Sequence, residues 1–185
     1  MDLLLSLWLP ILASAVAVFF LGFVSHVVLP FHHGDWKKLP DEEGFISTMR
    51  AMKLPPGNYA FPMQRKGEAA KAPEYVQLLK DGPLGTISVW PGFAMGKSLA
   101  LTFVWNALTT FFIAYLASIT LPRGADFARV LQVVGTAGVL AHSFAQMPNL
   151  IWYHASTSHK AASVIDGIVF GLATGAIFAA LWPAA

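Results

Sequence analysis

The stretch AASVIDGIVFGLATGAIFAALWPAA, residues 161–185, carries a single charged side chain, Asp166. A run this apolar, and longer than the roughly 20 residues that cross hydrocarbon as an α-helix, reads as a membrane span. Within it Ser163, Gly167, Gly171, Gly175 and Ala179 follow at steps of four, so a stripe of small residues drifts slowly around one helix face. Its two overlapping Gly-x-x-x-Gly units let another helix backbone come close. The spacing leaves open whether that partner is a helix of the same monomer or of a second copy.

Three further stretches have the same character: Leu3 to Leu29, Ser98 to Leu121 and Val130 to Tyr153. With 56% apolar and only 12% charged residues, the chain lies far from the roughly 25% charged residues of soluble domains. Buried helices of a soluble protein mimic one such run, not four in 185 residues. The predicted fold is an all-α membrane protein with four transmembrane helices and a small α+β cytoplasmic insert between the first two. The expected domains are 1–30 (helix 1), 31–97 (the insert) and 98–185 (helices 2–4). Ala13-Ser14-Ala15 imitates a signal cleavage site, but a basic leader is missing and the apolar run continues to Leu29, so we expect the segment to be retained as a span.

Absence of cysteine excludes disulfides, thiolate metal sites and thiol nucleophiles. The formal charge of +2, without any like-charge run, gives no reason to expect nucleic acid as a partner. Ten of the twelve Lys and Arg residues lie in the insert and in the loop before the fourth span, with Lys37, Lys38, Lys97 and Lys160 close to helix ends. Only Arg123 and Arg129 lie on the other side. This bias places the insert in the cytoplasm and both termini outside, in the periplasm if the membrane is a bacterial inner membrane.

In the insert, Pro40 suits the first helical position and Asp41, Glu42 and Glu43 suit the positive end of a helix dipole. Phe45, Ile46, Met49 and Met52 recur at helical spacing until Pro55-Pro56-Gly57, which predicts an amphipathic helix over 41–53. Asn58 to Met63 and Gly85 to Trp90 read as strands, with a second helix over Pro73 to Lys80. Gly92-Phe93-Ala94-Met95-Gly96-Lys97-Ser98 imitates a phosphate-binding loop. It has three residues between its glycines where that loop needs four, so no nucleotide is expected. Lys97 and Ser98 at a helix start suit a lipid phosphate or, more plainly, mark a snorkelling lysine at the interface.

On the third span Gly135, Gly138, His142, Gln146 and Asn149 follow steps of three and four, and this face should meet protein because unpaired polar groups in hydrocarbon are costly. Thr102 and Asn106 form a similar pair on the second. Threading the four spans brings all six histidines to one end of the bundle. Two readings fit that cluster. In the first, the polar groups join neighbouring helices, with Asp166 paired to His142 or Lys160 or protonated. In the second, His26, His142 and Asp166 converge as metal ligands, a haem site or a proton relay, imidazole and carboxylate being suited to transition metals and proton transfer. His32, His33 and Asp35 form a weaker metal motif of their own.

The segments His32-x-x-Asp35-Trp36, Leu39-Pro40-Asp41-Glu42, Leu54-Pro55-Pro56-Gly57, Gly82-Pro83, Met95-Gly96-Lys97 and Leu181-Trp182-Pro183 run through most of the chain. In them the chain resembles a family of bacterial four-helix inner-membrane proteins for which no activity is known. The resemblance implies four spans and a bacterial source, and transfers no catalytic residue.

These readings lead first to a non-catalytic protein, either a homo-oligomer or an accessory subunit of a larger membrane complex, packed through Gly135, Gly138 and the stripe on the last helix and surrounded by membrane lipids. A metal- or haem-binding redox protein comes second. A small transporter or channel with Asp166 as its ion or proton group comes third.

Overall fold

The computed structural model describes residues 2–185. The chain opens with α1 (Asp2–Ser6) and α2 (Trp8–Phe23), which runs on as a π-helical turn, Val24–Val28, and a 3-10 turn, Pro30–His32. Next come α3 (Glu42–Met52), β1 (Gly57–Phe61), α4 (Pro73–Asp81) and β2 (Gly85–Val89). The remainder is helical: α5 (Met95–Thr120), α6 (Phe127–His142), α7 (Met147–Trp152) and α8 (Thr157–Ala180). Among the described residues, four helical segments are long and apolar enough to cross a membrane, Trp8–Val28, Met95–Thr120, Phe127–Trp152 and Thr157–Ala180, and we read the chain as a multi-pass membrane protein.

The chain forms two compact units. One comprises the residues up to Lys37 with Met95–Ala185, the other Lys38–Ala94. Residues 31–37, counted with the insert from sequence, therefore go with the helices. The smaller unit pairs β1 with β2 antiparallel, from Gly57 opposite Val89 to Phe61 opposite Gly85. Tyr75 of α4 is its buried anchor: the ring lies under the Arg65 guanidinium at 4.8 Å, and the hydroxyl accepts from the Arg65 N–H. Asp41, not Pro40, starts α3, because its carboxylate caps the helix by accepting from the Gly44 N–H at 2.9 Å.

Two spans differ from their sequence reading, each because of a proline. The first run breaks at Leu7, and Pro10 then falls in the first turn of α2, where a missing N–H leaves no hydrogen bond unmade. The third run ends as α6 at His142. A 3-10 turn, Phe144–Gln146, intervenes before α7, whose second residue Pro148 would collide with the carbonyl four residues back in a continuous helix. The polar face expected to run from Gly135 to Asn149 is thus interrupted after His142, and Asn149 is exposed.

The small-residue stripe of α8 lies against α6 of the same monomer. A Cβ built on Gly171 would come within 2.7 Å of the Gly138 carbonyl carbon, and one on Gly175 within 2.8 Å of the Gly135 Cα. Gly167 faces Ser143, the residue where α6 ends, whose hydroxyl donates to the Val164 carbonyl at 2.9 Å. Ser163 is buried along the same face and Ala179 packs on the core beyond it. The core fills one half of the bundle with Leu7, Ile113, Val130, Val134 and Phe178. That end is tied by the Trp182 Nε1–H to the Pro122 carbonyl and the Gly124 N–H to the Pro183 carbonyl, both at 2.9 Å.

Gly171→Leu forces α6 and α8 apart along this seam, and overpacking at such a contact typically costs about 1–3 kcal/mol. The thermal midpoint of the detergent-solubilised protein should fall clearly, while Val169→Leu on the exposed face leaves it unchanged. Equal midpoints for the two variants would show that the seam does not hold the helices.

Candidate metal centre

At the other end of the bundle the chain builds a cluster around Asp166. The π-helical turn of α2 closes with the Leu29 N–H donating to the Val24 carbonyl, and the turn presents Ser25 inward. Pro30 then fixes Leu29 in an extended conformation, so the helix stops and a 3-10 turn brings His32 back towards α8. Ser25 Oγ–H donates to Asp166 Oδ1 at 2.7 Å, and His32 Nε2–H donates to Asp166 Oδ2 at 3.0 Å. The other ring nitrogen of His32 contacts Asp35 Oδ2 at 2.6 Å. His159, in the first turn of α8 and on the same face as Asp166, reaches Asp35 Oδ2 with Nδ1 at 3.5 Å.

A single imidazole thus joins two carboxylates. The side chains of His32 and Asp35 are 5% exposed and that of Asp166 is 12% exposed. Burial on its own would lower the pKa of His32, but the hydrogen bonds to Asp35 and then Asp166 outweigh it, and the pKa lies above its ordinary value of 6.5. Even so, one imidazolium offsets only one of two carboxylate charges, and Asp35 Oδ1 is buried without a hydrogen-bond donor among the described residues.

His26, His32 and Asp166 form one triad of ligand type, and His32, Asp35 and His159 a second, each with its ligand atoms within 4.8 Å of one another. The triads differ in ring geometry. The His26 and His32 rings stack in parallel, centroids 3.9 Å apart and planes 7° off, so their in-plane lone pairs do not meet at one point. The His32 and His159 rings stand at 88°, which lets both aim at an ion beside Asp35.

Of the residues singled out from sequence, His26, His32, Asp35 and Asp166 come together here. His142 stands outside both triads with its ring edge-on to Phe170, and His33 is exposed. Asp166 pairs with Ser25 and His32 instead of His142 or Lys160. Lys97 and Ser98 sit exposed in the first turn of α5. Sequence reasoning missed Ser25 and did not name His159 as a ligand, although its seven-residue spacing from Asp166 puts both on one face of α8. A cavity of about 620 Å³, walled by α2, α5, α6 and α8, adjoins the cluster at His159 and Asp166.

Since the folded-state pKa of His32 is raised, the stabilisation from its pairing is complete below pH 6.5 and is lost as pH rises through the folded value. The groups facing it are Asp35, Asp166, His26 and His159. In chelator-treated protein the thermal midpoint should fall as pH is raised from 6.5, and His32→Gln should flatten that dependence. An identical pH slope in the variant would assign the titration elsewhere. The chain matches no protein-family model, no curated protein and no solved structure.

Proposed function

We propose that this membrane protein binds a divalent transition-metal ion, held by His32 Nδ1, the Asp35 carboxylate and His159. The single observation that carries this reading is the Asp35 carboxylate, whose Oδ2 lies 2.6 Å from His32 Nδ1 and 3.5 Å from His159 Nδ1, on two perpendicular imidazoles, while its buried Oδ1 has no donor among the described residues. A divalent cation there takes the place of the His32 Nδ1 proton, leaves that ring neutral and offsets both carboxylate charges of the cluster. Asp166 takes the role of the outer carboxylate: it accepts from His32 Nε2–H, fixes the tautomer and leaves Nδ1 to the metal, while Ser25 holds Asp166 in turn. Nitrogen and oxygen ligands without sulfur suit zinc, iron(II), manganese or nickel. Three protein ligands leave a coordination position for water or a substrate, as in catalytic metal sites.

The small-residue stripe that pointed to a scaffold or oligomer packs against α6 within the monomer. For a channel, the core beside Phe178 fills the half of the bundle beyond the cavity. The Lys and Arg bias and the resemblance support a bacterial inner membrane with the metal cluster at its cytoplasmic side.

Protein purified without chelator and loaded with each of these metals should retain close to one ion per chain by elemental analysis. Asp35→Asn should abolish retention, and His159→Gln, which keeps two of the three ligands, should weaken it so that loading needs excess metal. Asp166→Asn should weaken it about 10- to 100-fold, as expected for a partner of a ligand. His33→Gln and His154→Gln should bind normally. A wild-type protein that retains none of the metals, or a Soret band in its optical spectrum, would overturn this assignment.

A further inference from the structure

The cavity beside the cluster has a chemistry of its own. Its walls include Val18, Phe19, Phe23 and Phe170; its polar groups include His142, Asn106 and Gln146, and His26, His159 and Asp166 line it where it meets the cluster. His142 Nε2 is buried without a hydrogen-bond partner among the described residues. A bare ring nitrogen at the wall of a roomy apolar cavity is the kind of unsatisfied group that a ligand atom answers. Space is open on the α2 side as well: a Cβ on Gly22 would touch only Phe170 Cζ, at an ordinary 3.9 Å. At the rim Phe20, Phe23 and Leu99 are exposed, all within membrane-spanning helices, so the entrance faces lipid.

Charge selects the head group. Asp166 is already engaged by Ser25 and His32, and His26 and His159 stand beside the carboxylates of the same cluster, which leaves His142, Asn106 and Gln146 as the polar partners outside it. A charged head set against these three would gain no counter-charge from them, at a cost far above that of a neutral, hydrogen-bonded one. Carbonyl and hydroxyl oxygens suit both tautomers of His142 and the amide of Asn106.

We propose that this cavity takes up a neutral lipid from the bilayer, its carbonyl- or hydroxyl-bearing head set against His142 and Asn106 and its tail leaving past Phe20 and Leu99. Quinones and acylglycerols share this chemistry. The proposal stands apart from the metal assignment, and the two are read out separately. Full-length protein in phosphatidylcholine nanodiscs would be titrated with a decyl-substituted benzoquinone, a monoacylglycerol, a fatty acid at pH 8 and an alkylamine, with binding followed by equilibrium dialysis and metal content by elemental analysis.

The expected result is saturable, one-to-one binding of one or both neutral probes and none of the charged ones. The probe that binds identifies the source. Gly22→Leu should fill the cavity and abolish binding while metal retention and thermal midpoint stay at wild-type values. Leu99→Trp blocks it at the rim from α5, should Gly22→Leu not fold. His142→Phe should weaken binding about tenfold, the loss of one hydrogen bond in a buried site. Charged probes binding as well as neutral ones, or neutral binding that survives both Gly22→Leu and Leu99→Trp, would overturn the proposal.

Discussion

A carboxylate placed inside an apolar span is costly unless its charge is compensated and its oxygens receive donors, and Asp166 meets that requirement with groups from a distant part of the chain. Ser25 serves one oxygen and His32 the other. Neither partner would be in place if α2 continued as a regular helix. The π-helical turn aims Ser25 inward, and Pro30 ends the helix so that His32 and Asp35 fold back over the start of α8. The irregular end of the first span is therefore what allows the fourth to carry its charge.

The rest of the bundle is arranged around that constraint. Gly138, Gly171 and Gly175 let α6 and α8 run with backbones in contact, which closes one side of the structure. Large side chains fill its far half, from Leu7 to Phe178. On the cluster side Ser143 ends α6 against Gly167, and the space left between the four spans becomes the cavity. Tight packing in one half and open volume beside titratable groups in the other is the division of labour expected of a binding protein, where stability and function occupy different regions.

Much of this was legible in the sequence. Hydropathy located all four spans, because a 20-residue apolar run has few alternatives. Four-residue spacing exposed the α8 stripe, although only the structure shows that α6 occupies it. Pro10 and Pro148 were visible signals for the two breaks and outweighed apolar continuity. The cluster was harder to read. That histidines gather at one end follows from threading, but which of them meet depends on a π turn and a 3-10 turn, short irregular features that leave no periodicity to detect. For that reason His142 was expected beside Asp166, where Ser25 and His32 stand. His159 was readable from its spacing along α8, and Asp35 stood in the sequence motif with His32 and His33, its unpaired oxygen visible only in the structure.

The central claim is that His32, Asp35 and His159 surround one ion. X-ray absorption at the K edge of the metal-loaded protein tests it at the metal itself. The account predicts a first shell of nitrogen and oxygen at about 2.0–2.2 Å, with outer-shell scattering from two imidazoles that drops to one in His159→Gln. A first shell without imidazole scattering, or a spectrum unchanged by removal of His159, would contradict it.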